Sequence, residues 1–180
     1  MIKTYKEILN KYGSDYQINK TLEKNEIHKV DRGLYSDTKY NDELEIISKK
    51  YPNAIFTLDS AFYYWNLIDV IPEKYYIATG SKDYRIKSEK VVQIFTSQDR
   101  LNVGKTTLEV NSVSINIYDR ERLLIELLRR KNTMAFDYYK EIITNYRKIK
   151  DELDTRKIEN YLKLYNNESS LYNALMREVY

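Results

Sequence analysis

The chain has 180 residues, of which 42% are apolar, and a net charge of +3. This length allows one medium domain or a small domain joined to a larger one. It contains no cysteine, which excludes disulfides, thiolate nucleophiles and cysteine-ligated zinc. It has neither an apolar run of the roughly 20 residues that span a bilayer nor an apolar N-terminus typical of a secretory signal, so we expect a soluble, cytoplasmic protein.

The N-terminal segment predicts two short helices. Thr4, with a glutamate three residues later, has the spacing of a capping box and begins a helix predicted over residues 4–11. Gly13 is typical of the residue that follows a helix end. Ser14 then begins a second helix, and Gln17 occupies the position of a capping-box partner. The two helices have the spacing of a helix-turn-helix.

A strand pair follows these helices. Apolar and polar residues alternate from Ile27 to Tyr35, and the turn is predicted near residues 31–33, where Gly33 lies. Two short helices and a basic hairpin indicate a winged helix-turn-helix, which we assign to residues 1–37. Residues 36–44 are polar and are predicted to connect it to a second domain over residues 38–180.

The second domain is predicted to mix helices and strands. One helix is expected over Asp42–Lys50, and another is capped by Thr57 or Asp59 and has Ala61, Phe62, Tyr64, Trp65 and Leu67 as its body. The predicted strands are 75–79, 91–96, 107–110 and 113–118, and the last two flank a tight turn at Asn111-Ser112. Helices are predicted over 120–130, 133–150, 155–165 and 169–179. The predicted class is α+β: an N-terminal winged helix-turn-helix, then a mixed α/β domain with a small sheet and C-terminal helices.

Four blocks of this sequence, in the same order, resemble the AbiEi-type antitoxins of type IV toxin–antitoxin (abortive infection) systems. The blocks are Arg32–Tyr35, Tyr51–Ala61, Ile71–Tyr76 and Ile117–Arg122. The resemblance implies an N-terminal winged helix that binds inverted repeats in its own promoter and represses it. It also implies a C-terminal domain that antagonises a nucleotidyltransferase-like toxin, directly or functionally. Members of the family carry one more helix at the N-terminus, which we expect this chain to lack.

The candidate DNA-binding residues follow from how a winged helix contacts DNA. The outward residues of the second helix face base edges in the major groove, and a basic wing contacts phosphate. These residues are Tyr16, Gln17, Asn19 and Lys20 in the helix and Lys29 and Arg32 in the wing. Alternatives remain: Gln17 closes the capping box, Lys20 is an ordinary solvated charge, or Arg32 pairs with Asp31 or a backbone carbonyl. His28, the only histidine, is interpreted as structural or phosphate-facing.

The last third of the chain is basic and supplies a candidate surface for toxin antagonism. Its members are Lys140, Arg147, Lys148, Lys150 and Arg156. Acidic residues are interspersed among them, so the alternative is the solvated side of amphipathic helices.

The sequence predicts no enzyme, no cofactor and no metal. It lacks a histidine pair, and Gly104-Lys105 lacks the upstream glycine of a phosphate-binding loop. The enzymatic alternative is a metal-dependent nuclease with acids at strand ends. The candidate acids are Asp99, Glu109, Asp119 and Glu121. A second alternative is a winged-helix transcriptional regulator with a ligand-sensing C-terminal domain and no toxin partner.

Overall fold

The structure, a computed structural model, describes all residues from 1 to 180 and confirms the predicted α+β class. It contains nine α-helices and two sheets, of three and five strands. The chain divides into two compact units. The N-terminal unit comprises residues 1–53 and 111–114, and the C-terminal unit comprises residues 54–110 and 115–180.

The N-terminal unit is built from three strands and three helices. Its elements are β1 (Ile2–Thr4), α1 (Tyr5–Tyr12), α2 (Asp15–Glu23), β2 (His28–Asp31), β3 (Leu34–Ser36) and α3 (Glu43–Lys50). The strands form an antiparallel sheet in the order β1-β3-β2, with Ile2 opposite Ser36 and His28 opposite the same residue from the other side. The two predicted helices and the predicted hairpin are confirmed, whereas strand β1 was not predicted.

A small apolar core holds this unit together. Ile8 of α1, Ile18 of α2, Ile27 and Tyr35 are buried against one another. Because Ile8 and Ile18 each lie on the inward side of an amphipathic helix, the opposite sides of α1 and α2 are left for solvent. The sequence pattern of apolar and polar residues therefore determines which face of α2 is exposed.

Helix α3 belongs to the same unit. It packs against β1 and β3, and the backbone N–H of Ile2 donates to Glu45 Oε1 at 2.8 Å. The helix begins after Asp42, whose carboxylate accepts from the N–H of Leu44. The compact unit therefore extends to Asn53, past the predicted boundary at residue 37.

The C-terminal unit is a five-stranded sheet covered by helices. In chain order its elements are β4 (Ile55–Phe56), α4 (Leu58–Tyr64), β5 (Tyr75–Gly80), β6 (Val91–Thr96), α5 (Gln98–Leu101), β7 (Lys105–Val110), β8 (Val113–Tyr118), α6 (Arg120–Arg130), α7 (Phe136–Lys148), α8 (Thr155–Leu162) and α9 (Glu168–Glu178). The strand order is β6-β5-β4-β8-β7. Strand β4 pairs antiparallel with β5 and parallel with β8, and β5 pairs parallel with β6.

Helix α6 is the centre of this unit. Every residue from Glu121 to Leu128 is buried, and the helix packs against α4, α8 and α9. Three of these buried residues, Glu121, Arg122 and Glu126, carry charge. A buried charge is costly unless it is paired and hydrogen-bonded, so the partners of these three side chains are informative about the unit.

Several predicted boundaries need correction. The helix predicted over 133–150 spans only Phe136–Lys148, because residues 131–133 and 150–152 form single 3₁₀ turns. The helix predicted to reach Leu67 ends at Tyr64, since Asn66 adopts a φ of 55°, which a helix does not allow. Strand β4 and helix α5 were not predicted.

Candidate functional site

The first candidate site is the outer face of α2, whose position is fixed by the caps before it. The Thr4 hydroxyl accepts from the N–H of Glu7, whose carboxylate accepts from Thr4 N at 2.7 Å. Gly13 then takes a φ of 78°, a left-handed conformation that favours glycine. The Ser14 hydroxyl accepts from the N–H of Gln17 and begins α2. The chain thus turns from α1 into α2 within two residues.

All four predicted helix residues of this site are exposed: Tyr16, Gln17, Asn19 and Lys20. Tyr16 is 69% exposed, which is unusual for an aromatic side chain. Only the backbone N–H of Gln17 takes part in the Ser14 cap, so its side-chain amide is available to a ligand. The hydroxyl of Thr21 bonds back to the Gln17 carbonyl, on the inner side of the same helix.

The β2–β3 hairpin carries the two basic residues predicted for the wing. Gly33 makes the turn with a φ of 73°, and Lys29 and Arg32 are exposed. The Asp31 carboxylate pairs with Lys50 Nζ at 2.6 Å rather than with the Arg32 guanidinium, although it accepts from the Arg32 backbone N–H. The hydrogen bond from Lys50 lowers the pKa of Asp31. Arg32 therefore extends from the turn without an acidic partner.

The five basic residues predicted for toxin antagonism differ in their surroundings. Lys140, Arg147 and Lys148 are exposed on α7, Arg156 is exposed on α8, and Lys150 is half-buried in a 3₁₀ turn. Arg147 Nε donates to the carbonyl of Glu178 at 2.6 Å, and Lys148 Nζ donates to Asn145 Oδ1 at 2.8 Å. Two of the five side chains are thus held by their own unit.

Of the four acids considered for a nuclease, two are hydrogen-bonded within the C-terminal unit and two are exposed. Asp119 caps α6 and also accepts from Lys157 Nζ and from the Tyr161 hydroxyl. The hydrogen bond to Asp119 raises the pKa of Lys157. The pKa of Tyr161 is raised mainly by burial and, to a smaller extent, by its hydrogen bond to Asp119. Glu121 accepts from the N–H of Asp154. Asp99 and Glu109 are exposed, and no group of three acidic, histidine or cysteine side chains is placed to hold a metal ion.

A cavity of about 110 Å³ in the C-terminal unit was not predicted. Its walls include four arginines and one carboxylate: Arg100, Arg122, Arg129, Arg130 and Glu126. Tyr118 and Tyr165 also line it, and burial raises the pKa of each to about 12. The sequence holds a signal for this cavity, because positions 122, 126, 129 and 130 share one face of the predicted helix.

Comparisons with known proteins do not identify the chain. No protein-family model matches the sequence, and no curated protein matches it. Together with the two units described above, this leaves the class as a mixed α+β protein with two small sheets. Its longest helix has 13 residues, and no helix combines the length and apolar character that crossing a membrane requires.

Proposed function

We propose that this protein binds DNA through its N-terminal unit, as a winged helix-turn-helix, and represses its own promoter. The observation that carries the proposal is the shared exposure of Lys20, Lys29 and Arg32, none of which forms an ion pair within the chain. Uncompensated cations on a helix and an adjoining hairpin suit a phosphate backbone. No catalytic role forms part of the proposal.

The order of elements in the N-terminal unit supports the proposal of a winged helix-turn-helix. A strand is followed by two helices joined at a glycine turn and then by a hairpin whose second strand pairs with the first strand. In such a domain the second helix of the pair enters the major groove, and its N-terminal residues contact bases. Tyr16, Gln17 and Asn19 hold that position here, with Gln17 and Asn19 as amides able to contact adenine.

A binding titration tests this part of the proposal. We expect the full chain to bind a promoter fragment more tightly than a shuffled fragment in fluorescence polarisation. Lys20→Ala should weaken binding to both fragments and reduce the salt slope by about one unit, since it removes one phosphate contact. Asn19→Ala should reduce the preference for the promoter. Lys82→Ala, an exposed lysine of the other unit, is the matched control.

Two results would contradict DNA recognition at this site. One is equal affinity for promoter and shuffled fragments that neither Lys20→Ala nor Arg32→Ala changes. The other is a loss of affinity that Lys82→Ala reproduces, because the binding would then depend only on the overall charge.

We further propose that the C-terminal unit serves the antitoxin activity that the family resemblance implies. The basic side chains of α7 and α8 support a surface for a partner, because charge complementarity steers encounter. Lys140 and Arg156 are the residues on which to test it, since neither side chain is hydrogen-bonded within its unit. Arg147 is unsuitable, because reversing its charge would also remove the bond to the Glu178 carbonyl.

Co-expression tests the antitoxin role without cutting the chain. The full protein is expressed from an unrelated promoter beside the toxin encoded next to it, and growth is measured. We expect a Lys20→Ala, Arg32→Ala double variant to rescue growth, and a Lys140→Glu, Arg156→Glu double variant to rescue it poorly. Lys87→Glu with Lys74→Glu is the matched control of exposed lysines. Rescue that fails in the first variant would mean that antagonism acts through DNA binding.

A second candidate function is a winged-helix regulator whose C-terminal unit senses a ligand. The arginine-lined cavity favours it, since a regulator needs a ligand site separate from its DNA-binding surface. The neighbouring reading frame distinguishes the two functions. A nucleotidyltransferase-like gene next to this one supports the antitoxin, and an isolated gene supports the regulator.

A further inference from the structure

The cavity of the C-terminal unit contains a buried cation with an incomplete set of partners. Arg122 is 1% exposed, and only its Nη2 is hydrogen-bonded, to Glu126 Oε1 at 2.9 Å. Its Nε and Nη1 are buried and have no hydrogen-bond partner, and neither does Nε of Arg130. A buried donor without an acceptor is costly, and more so when the donor is charged.

The one carboxylate of the cavity cannot supply these acceptors. Glu126 Oε1 already accepts from Arg122 and from the Tyr165 hydroxyl, and Oε2 accepts from Arg129 at 2.9 Å. Arg130 Nε lies 3.9 Å from Oε2, beyond hydrogen-bonding distance. Four arginines and one glutamate line the cavity, and Asp99 lies 3.8 Å from Arg100, which leaves an excess of two positive charges around the cavity.

We propose that this cavity binds a phosphate-type oxyanion. A guanidinium presents donors in a planar fork that matches phosphate oxygens, and several arginines converging on one cavity suit a dianion better than a monoanion. Thr96 and Ser97 also line the cavity. Arg100, on the same wall, bonds to the Ser97 hydroxyl through Nε at 2.6 Å.

The dimensions of the cavity restrict what enters it. A volume of about 110 Å³ holds a few water-sized groups, since one water occupies roughly 30 Å³ of liquid. A phosphate group is small enough for this volume. Arg129 and Arg130 keep about a third of their side chains exposed, which leaves an approach from solvent. Phe95 lines the same cavity and is 48% exposed, so its aromatic ring is partly open to solvent.

Calorimetric titration of the full chain with inorganic phosphate tests the site. We expect saturable binding with one site per chain, and a loss of about tenfold or more in affinity for Arg129→Gln, because one charge-assisted bond is removed. Arg85→Gln, an exposed arginine of the same unit outside the cavity, should bind within about twofold of the natural chain. Arg129 is preferred to Arg122 because its exposure makes a folded variant achievable.

Further titrations identify the source of the anion. A nucleoside 5′-monophosphate that binds more tightly than phosphate, with the gain lost in Phe95→Ala, assigns the site to a phosphate ester. Equal affinities assign it to free phosphate. Acetate at matched ionic strength should not compete. Absence of saturable phosphate binding, equal binding in Arg129→Gln and Arg85→Gln, or competition by acetate would each overturn the proposal. The site lies within one unit and does not rest on DNA binding or antitoxin activity.

Discussion

Removing the Asp119 side chain should destabilise the C-terminal unit more than removing any exposed helix cap. Asp119 is 8% exposed and accepts from the N–H of Arg122 at 2.8 Å, from Tyr161 at 2.8 Å and from Lys157 at 3.2 Å. Loss of an N-cap costs about 1 kcal/mol, and loss of the hydrogen bond to a half-buried hydroxyl costs about another 1 kcal/mol. The Lys157 side chain is 48% exposed, so its ion pair with Asp119 adds little to stability. Asp119→Ala should therefore lower the free energy of unfolding by about 2 kcal/mol.

Urea denaturation followed by tryptophan fluorescence measures this loss. Trp65 is the only tryptophan, and its indole N–H donates to the Tyr118 carbonyl, so its emission reports on the C-terminal unit. The matched control is Asp154→Ala, which removes an exposed cap of α8 and should cost about 1 kcal/mol. If Asp119→Ala lowers the free energy of unfolding by no more than Asp154→Ala does, the buried Asp119 carboxylate does not stabilise the N-terminus of α6 more than an exposed cap would.

Two further perturbations test close packing and an ion pair. Gly104 has a φ of 76°, and a Cβ on it would lie 2.5 Å from Arg122 Cβ. Gly104→Ala should therefore lower the free energy of unfolding by about 2 kcal/mol in the same urea titration. A loss below about 0.5 kcal/mol would contradict this close packing. The lowered pKa of Asp31 means that its contribution to stability is present above its usual pKa of 3.8 and is lost as the pH falls through the lowered value. In circular dichroism melts, Lys50→Met should therefore make the stability of the N-terminal unit less dependent on pH in the acid range. An unchanged pH dependence would refute the pairing of Asp31 with Lys50.

Local sequence signals were enough to predict the helices and the hairpin of the N-terminal unit. The capping box at Thr4, the left-handed Gly13 and the cap at Ser14 each act over three or four residues, so the chain specifies them without tertiary contacts. The turn at Asn111 and Ser112 is equally local, and both residues adopt the positive φ that a tight hairpin requires.

Strands β1 and β4 could not be predicted in the same way. They have three and two residues, too few for a pattern of alternation to be recognised. Each is defined by partners distant in sequence: Ile2 pairs with Ser36, and Phe56 pairs with both Ile77 and Ile117. Their strand conformation is a product of the sheet they join rather than of their own composition.

The arginine-lined cavity was missed for a related reason. The sequence shows that Arg122, Glu126 and Arg129 share a helix face, but not that this face is buried. Two residues far from α6 in the chain line the cavity beside this face: Tyr165, which follows α8 and whose hydroxyl donates to Glu126, and Arg100 of α5. Charged residues on a helix are mostly exposed, so the local pattern alone favours a solvated face.

Basic residues with an acidic partner and basic residues without one are distinguished by their ion pairs, which the net charge of +3 does not reveal. Several basic residues of the C-terminal unit form ion pairs with acids of that unit, and two of them share the carboxylate of Glu126, whereas Lys140 and Arg156 form none. These pairs are Arg120–Glu152, Arg122–Glu126, Arg129–Glu126, Lys131–Glu178 and Lys157–Asp119. Lys20, Lys29 and Arg32 have no acidic partner, so their charge is available to an external anion. Because counterion release depends on such uncompensated cations, we expect these three residues of the N-terminal unit to contribute to the salt dependence of the proposed DNA binding.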